Sequence, residues 1–197
     1  METFEAILTR RSTRNYKPDS VEKEKLDRIL EAGRQAPSGG NNQSNHFLVI
    51  RNRETLQKLV SMVETAFAGM EADENTYASL RNSIAASKKG GYVFCYNAPI
   101  LIVVANRRDY SNNIADCACA IENMMIAANA LDLGSCWINQ LRWLNEQPEI
   151  VSYLIELGMK ECERVYGAVI IGYPATEGGL PSRHLMAQKG NQITYID

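Results

Sequence analysis

Two histidines, His46 and His184, are all that this chain of 197 residues contains. They stand far apart and neither belongs to a His-Glu-x-x-His pattern, which argues against a zinc hydrolase. No Gly-x-Ser-x-Gly elbow is present, nor a Walker-type phosphate loop, nor a Gly-x-Gly-x-x-Gly fingerprint. Asp and Glu are scattered over predicted helix surfaces, so no carboxylate pair stands out for glycosidase chemistry. No metal-ligand set is expected. The five cysteines, Cys95, Cys117, Cys119, Cys136 and Cys162, are odd in number. The opening Met-Glu-Thr-Phe lacks a long apolar leader. Reduced thiols and a cytoplasmic protein are the expectation. The longest aliphatic run, Ile100 to Ala105, is far too short to span a bilayer. A net charge of -2 is unlike that of a nucleic-acid binder, which is usually basic overall.

What is present starts with composition. Hydrophobic residues make up 45% of the chain, enough for a core, and the length suits one domain, residues 1–197. No internal repeat or dividing linker appears. Two polar stretches stand out. The first is Arg10-Arg11-Ser12-Thr13-Arg14-Asn15-Tyr16. Arginine forks grip phosphate oxygens in a planar, bidentate way that lysine cannot match, and Ser12 and Thr13 add hydroxyl bonds. On these residues alone a helix end favoured by positive charge, or a solvated basic turn, explains them equally well. The second stretch runs from Ala36 to Asn45 and is almost free of apolar residues, so it is a loop. Gly39 and Gly40 let backbone N–H groups approach a ligand. Asn41, Asn42 and Gln43 bring amide donors and acceptors together. An ordinary surface turn has the same composition.

Along the chain, Phe4, Ile7 and Leu8 have the spacing of one packed helix face, predicting a helix over Thr3–Thr9. Ser20 is placed to cap a second helix that buries Leu26, Ile29 and Leu30 and stops before Pro37. His46–Ile50 reads as a strand and 55–66 as an amphipathic helix. Residues 68–91 read as a helical excursion with a mobile end. Pro99–Ala105 and Tyr166–Ile171 are strands of the buried type. Residues 114–133 form a long helix, apolar or small nearly all round. That places it at the centre of the domain or at a subunit interface. Within it Cys117 and Cys119 point to different faces as packing residues. Gly134 is the expected C′ residue. Pro148 opens a further helix that Gly158 closes. The apolar, β-prone end Ile193-Thr194-Tyr195-Ile196 follows a polar tail and reads as a docking segment.

Good donors for a phosphate and for polar ring edges, with no evident nucleophile or general base, suit a protein whose cofactor carries the chemistry. The chain resembles the nitroreductase family of FMN oxidoreductases over nearly its whole length, least from Gly69 to Tyr92. The marks are Arg10-Arg11-Ser12-Thr13-Arg14, Ala36-Pro37-Ser38-Gly39-Gly40-Asn41-Asn42-Gln43, Leu133-Gly134-Ser135-Cys136-Trp137-Ile138, and Gly172-Tyr173-Pro174 followed by Arg183.

The resemblance implies an α+β fold, a mixed sheet surrounded by helices, and an intertwined homodimer with two FMN molecules at its interface. Carried over by position, Arg10 and Arg183 hold the phosphate, with Arg11 in the same basic stretch, and Ser12 reaches the ribityl or phosphate end. Arg14 faces the N1/O2 edge of the ring. Pro37, Ser38, Gly39 and Asn41 of the partner subunit line the ring, with Gln43 in the same loop. The Asn139–Gln140 backbone approaches N5. Family members commonly carry Pro-Trp where this chain has Ser44-Asn45, and some carry Lys where it has Pro181. The implied activity is transfer of hydride or electrons from NADH or NADPH to a small electron-poor acceptor, a nitroaromatic or quinone-like molecule. The catalytic group is then the flavin itself, and no side chain is assigned as catalytic. A non-catalytic flavin-binding or redox-sensing protein on the same fold is the alternative, and an interaction protein with a vestigial site is a third reading.

Overall fold

Runs of β-branched residues meet in one four-stranded sheet in the computed structural model, which describes residues 1–187 and 189–196. β1 (His46–Ile50), β2 (Ile100–Arg107), β3 (Gly134–Ile138) and β4 (Glu163–Gly172) lie in the order β1-β2-β4-β3. Their pairings are all antiparallel. The parallel pairing that a mixed sheet requires is confined, among the described residues, to an isolated bridge between Ser12 and Ser135 at the outer edge of β3.

β2 shows why a continuous apolar run is needed here. Successive side chains of a strand point to opposite faces. Leu101, Val103 and Ala105 enter one core, while Ile100, Ile102 and Val104 enter the other. α3 (Arg53–Ala68), α4 (Ala78–Lys89), α6 (Gln140–Trp143) and α7 (Pro148–Glu156) cover the first face. α2 (Lys23–Arg34) and α5 (Asn113–Ala130) cover the second.

α1 (Thr3–Thr9) forms where its spacing predicts, but its apolar face does not pack within the chain. Phe4 is 78% exposed, Ile7 and Leu8 are exposed too, and Ala6 is the buried residue. Ser20 is not the cap of α2. Glu22 holds that position without a side-chain bond. Val21 and Leu26 stand one residue before the cap and four beyond it, and both bury in the same core. That pairing fixes the entry of the helix and leaves Ser20 outside.

α5 is both central and superficial. Cys117, Ile121, Met124, Met125 and Ala128 enter the core, whereas Ile114, Ala115 and Cys119 stay exposed in the single chain. Cys119 is therefore not a packing residue within one subunit. Nor does Gly134 end the helix. Asp132, at φ 64°, takes the left-handed position. The Leu133 N–H donates to Ala128 O at 2.9 Å and the Asp132 N–H to Asn129 O at 3.2 Å, a Schellman closure. Gly134 is instead glycine because the chain after α1 crosses it. An added Cβ would come within 2.7 Å of the Thr13 side chain.

The corner that follows β3 is tied to the sheet by one side chain. Val165 of β4 is fully buried, and its backbone needs partners beyond the end of β3. Asn145, just after α6, supplies them. It donates to Val165 O at 2.7 Å and accepts from Val165 N at 3.0 Å. Asn145→Ala should therefore destabilise the protein by about 1–3 kcal/mol for each backbone group left unpaired. Urea unfolding checks this, and a loss below about 0.5 kcal/mol would show that water replaces the side chain.

Candidate active site

The basic stretch is laid along the edge of β3. The Thr13 N–H donates to Ser135 O at 2.8 Å, and Lys17 N–H to Tyr173 O at 2.8 Å, so residues 12–17 thread between β3 and the segment after β4. Arg10 leaves α1 and places its Nε 3.4 Å from Glu122 Oε1 of α5. Arg11 turns back on the Arg10 carbonyl, and its Nε is buried without a partner. Ser12 and Arg14 are exposed. Burial pushes the Cys136 thiol up, and Arg14, a Ser12 hydrogen bond and Arg10 pull against it. Burial likewise holds the Tyr16 phenol well above its ordinary range, with Cys136 adding to the rise and Arg14 opposing it.

Arg183 arrives from far along the chain at the C-terminal end of α5. Its Nη2 donates to Asn129 O at 2.8 Å and to Asp132 Oδ1 at 2.6 Å. A cation there satisfies a helix-end carbonyl and the helix dipole together. Asn129 is buried and also grips α1, donating to Ala6 O at 2.9 Å and Thr9 Oγ1 at 3.0 Å. The structure thus brings Arg10, Arg11, Ser12, Arg14 and Arg183 to one side of β3 and α5.

The Pro37–Gln43 loop lies elsewhere. It is pinned over the first turn of α5, where Gly39 N–H donates to Asp116 Oδ1 at 3.1 Å. Asp116 and Asn129 are 13 residues apart on one helix, hence about 20 Å at 1.5 Å per residue. Pro37, Ser38, Gly39, Asn41 and Gln43 are therefore not brought to Arg183 within one chain. The Gly39 N–H, expected to face a ligand, is spent on Asp116. Gly39 is small because an added Cβ would fall 2.1 Å from Asn112 Nδ2 and 2.6 Å from the Tyr110 hydroxyl. The loop also folds on itself. Gln43 N–H donates to Ser38 Oγ at 2.9 Å and Gln43 Nε2 to Asn41 Oδ1 at 2.9 Å.

Asn139 and Gln140 stand at the corner between β3 and α6. Asn139 Oδ1 accepts from Trp137 Nε1 at 2.8 Å, which fixes its side chain against the strand. Gln140 reaches the other way, donating to Tyr92 Oη at 2.8 Å under α4. Both side chains turn into the structure, with Gln140 Oε1 buried and unpartnered, so the backbone is what this corner presents. A cleft of about 570 Å³ opens elsewhere, between α3 and residues 93–99, lined by Arg51, Leu56, Val60, Cys95 and Pro99 among others. None of the candidate residues lines it.

Sequence reasoning missed Asp116, Tyr110 and Asn129, the residues that hold the two polar segments. The signal that could have found Asp116 and Asn129 is that they are among the few polar residues of a largely apolar helix, where a buried polar group needs a partner.

Among known proteins, residues 7–173 match the model of the Nitroreductase family. A relative from Archaeoglobus fulgidus, provisionally named NADH dehydrogenase/NAD(P)H nitroreductase, is 32% identical over 177 residues, 89% of this chain and 87% of that protein. A crystal structure of a nitroreductase with bound FMN from Bacteroides fragilis superimposes with a TM-score of 0.86 at 37% identity, covering all of both chains. Another with bound FMN, from Desulfitobacterium hafniense, gives 0.80 at 26% identity, again over all of both chains. Set beside the arginine-lined edge of β3 and the loop pinned on α5, these matches show that the chain belongs to the nitroreductase family.

Proposed function

We propose that this chain is an FMN-dependent oxidoreductase that takes reducing equivalents from NADH or NADPH and passes them to a small electron-poor acceptor, nitroaromatic or quinone-like. It works as a homodimer whose two sites are each built by both chains. The observation that carries this reading is the separation of the polar segments. Arg183, on Asn129, and the Pro37–Gln43 loop, on Asp116, sit at opposite ends of α5, about 20 Å apart, which supports two chains supplying the two walls of one cofactor. The exposed apolar set, Phe4, Ile7, Leu8, Ile114, Tyr195 and Ile196, supports a second copy. Among the described residues no helix is long and apolar enough to cross a membrane. All five cysteines are unpaired, which fits a cytoplasmic setting.

The residues fit a phosphate-bearing flavin. Arg11 Nε is buried and lacks an acceptor, Arg10 is held by Glu122 of α5, and Arg183 by Asp132 just past the end of that helix. Those anchors are close to three helical turns apart, roughly 15 Å along the axis, a gap that two long guanidinium side chains can span toward a single anion. Arg10, Arg11 and Arg183 bind the phosphate and Ser12 adds a hydroxyl. Arg14 places positive charge beside the N1/O2 edge, where negative charge develops. Pro37, Ser38, Gly39, Asn41 and Gln43 of the partner subunit form the wall against the ring. The backbone of Asn139 and Gln140 positions the N5 side. Bound FMN supplies the hydride and electron transfer itself.

The visible spectrum of the purified protein, followed by anaerobic addition of NADH and NADPH, tests the reading. A yellow protein that bleaches with either nicotinamide and recovers its colour with a quinone is expected. A colourless protein that takes up no FMN would overturn it.

Charge-assisted bonds to phosphate contribute about 1.5–3 kcal/mol each. Arg10→Ala or Arg183→Ala should then weaken FMN binding by about ten- to 150-fold and leave riboflavin, which lacks the phosphate, unaffected. Arg107→Ala and Arg108→Ala serve as controls. Fluorescence titration of both flavins reads the difference, and equal FMN affinities in all four variants would remove the phosphate assignment.

The thiols report the assembly. Burial pushes Cys95, Cys117 and Cys136 up, Cys117 to about 12 with Asp116 adding to the rise, so these react slowly as thiols rather than thiolates. Cys119 and Cys162 are exposed in the single chain. A homodimer closed over α5 protects Cys119. One fast-reacting thiol per native chain is then expected in mildly alkaline buffer, against five after unfolding. Two fast thiols, with a stable monomer in sedimentation, would exclude that interface.

A further inference from the structure

A buried carboxylate of α5 has no part in the chemistry described so far. Asp116 is 4% exposed. None of the ion pairs formed by the described residues includes it. An unpaired buried carboxylate is costly and persists only where hydrogen bonds satisfy it. Its bonds go to one place. Oδ1 accepts from the Gly39 N–H at 3.1 Å, and Oδ2 lies 3.0 Å from the Tyr110 hydroxyl, which is also 3.1 Å from Gly39 O. The Asp–Tyr pair thereby holds both backbone groups of Gly39. The Asp116 backbone carbonyl accepts from Asn45 Nδ2 at 3.0 Å. Asn45 in turn accepts from Asn106 Nδ2 of β2 at 2.9 Å. One residue thus clamps the loop near its start and at its end.

Between the clamped points the backbone enters the left-handed region, which glycine and asparagine adopt readily but glutamine does not. Gly40, Asn41 and Gln43 have φ of 59°, 54° and 48°. A left-handed glutamine persists only where its surroundings over-determine it. We propose that Asp116 is the positioning residue of the flavin-facing loop, holding Ser38 to Gln43 in the shape that meets the isoalloxazine ring through its bonds to Gly39, Tyr110 and Asn45. The inference rests on the reading that this loop walls the ring. Asp116 touches neither cofactor nor substrate. Its effect therefore falls on ring recognition and leaves phosphate recognition alone.

The test uses the full chain, reconstituted with FMN or with riboflavin, in three variants. Asp116→Ala removes the side-chain half of the clamp, at Gly39 and Tyr110, and should weaken both flavins by the same factor, about ten- to 100-fold. Asp116→Asn keeps an oxygen for the Gly39 N–H and offers its amide to the Tyr110 oxygen, so it should bind both flavins within about threefold of the parent. Tyr110→Phe, which keeps the carboxylate, should give an intermediate loss and covers the case in which Asp116→Ala does not fold. Hydrogen exchange in the flavin-free protein should quicken at 39–43 in Asp116→Ala and Tyr110→Phe but not in Asp116→Asn. A variant that melts earlier yet binds both flavins like the parent would overturn the proposal, as would a loss confined to FMN. If the parent itself binds neither flavin, the proposed function falls, and unchanged exchange at 39–43 would then separately remove the clamp.

Discussion

Two polar side chains buried on one apolar helix decide where the important loops go. α5 is driven against the sheet by Cys117, Ile121, Met124 and Ala128, a hydrophobic requirement without direction of its own. Asp116 near one end and Asn129 near the other are carried out of water with it. Each must find partners or cost several kcal/mol. Asp116 finds Gly39 and Tyr110, and Asn129 finds Ala6, Thr9 and Arg183. Burial positions the helix, and hydrogen-bond demand then positions the chain segments around it.

The cations at the β3 edge are held by weaker means. Arg10 pairs with a half-exposed Glu122, and Arg183 with an exposed Asp132. Pairs of this kind contribute at most about 1 kcal/mol. They keep the guanidinium groups pointed and in place while remaining easy to exchange for a stronger anion. The contrast with Asp116 is physical. The loop end of α5 is fixed by the hydrogen bonds of a buried carboxylate, whereas at the other end Asn129 fixes α1 and the arginines add exchangeable charge pairs.

Much of the fold was legible. β2 and β4 announced themselves as continuous apolar runs because they are buried on both faces, and α7 showed its ends through Pro148 and Gly158. α1 was found by spacing, yet the destination of its apolar face was not, since period alone says which residues share a side and not what covers it. Ser20 misled because it is a good cap by type, and the staple of Val21 with Leu26 outweighed it. Gly134 misled because two causes favour glycine after a helix, a left-handed turn and a close crossing, and only coordinates separate them. Gly39 shows the same ambiguity. In the site, the arginines and the Pro-Ser loop stood out by composition. The assignment of the two stretches to different subunits came from the family resemblance and not from the residues, because what holds each of them, Asp116 for the loop and Asn129 for Arg183, lies on a helix distant in sequence.

The uncovered face of α1 and the uncovered tail, with Ile196 94% exposed, bear on how this protein responds to dilution. In the proposed homodimer, a surface that buries them on association would enter the folding equilibrium by mass action. The midpoint of unfolding then rises with the concentration of the chain itself. Newly made chains at low abundance are accordingly the least protected, and a substitution that leaves the interior of the subunit untouched can still shorten the lifetime of the whole assembly.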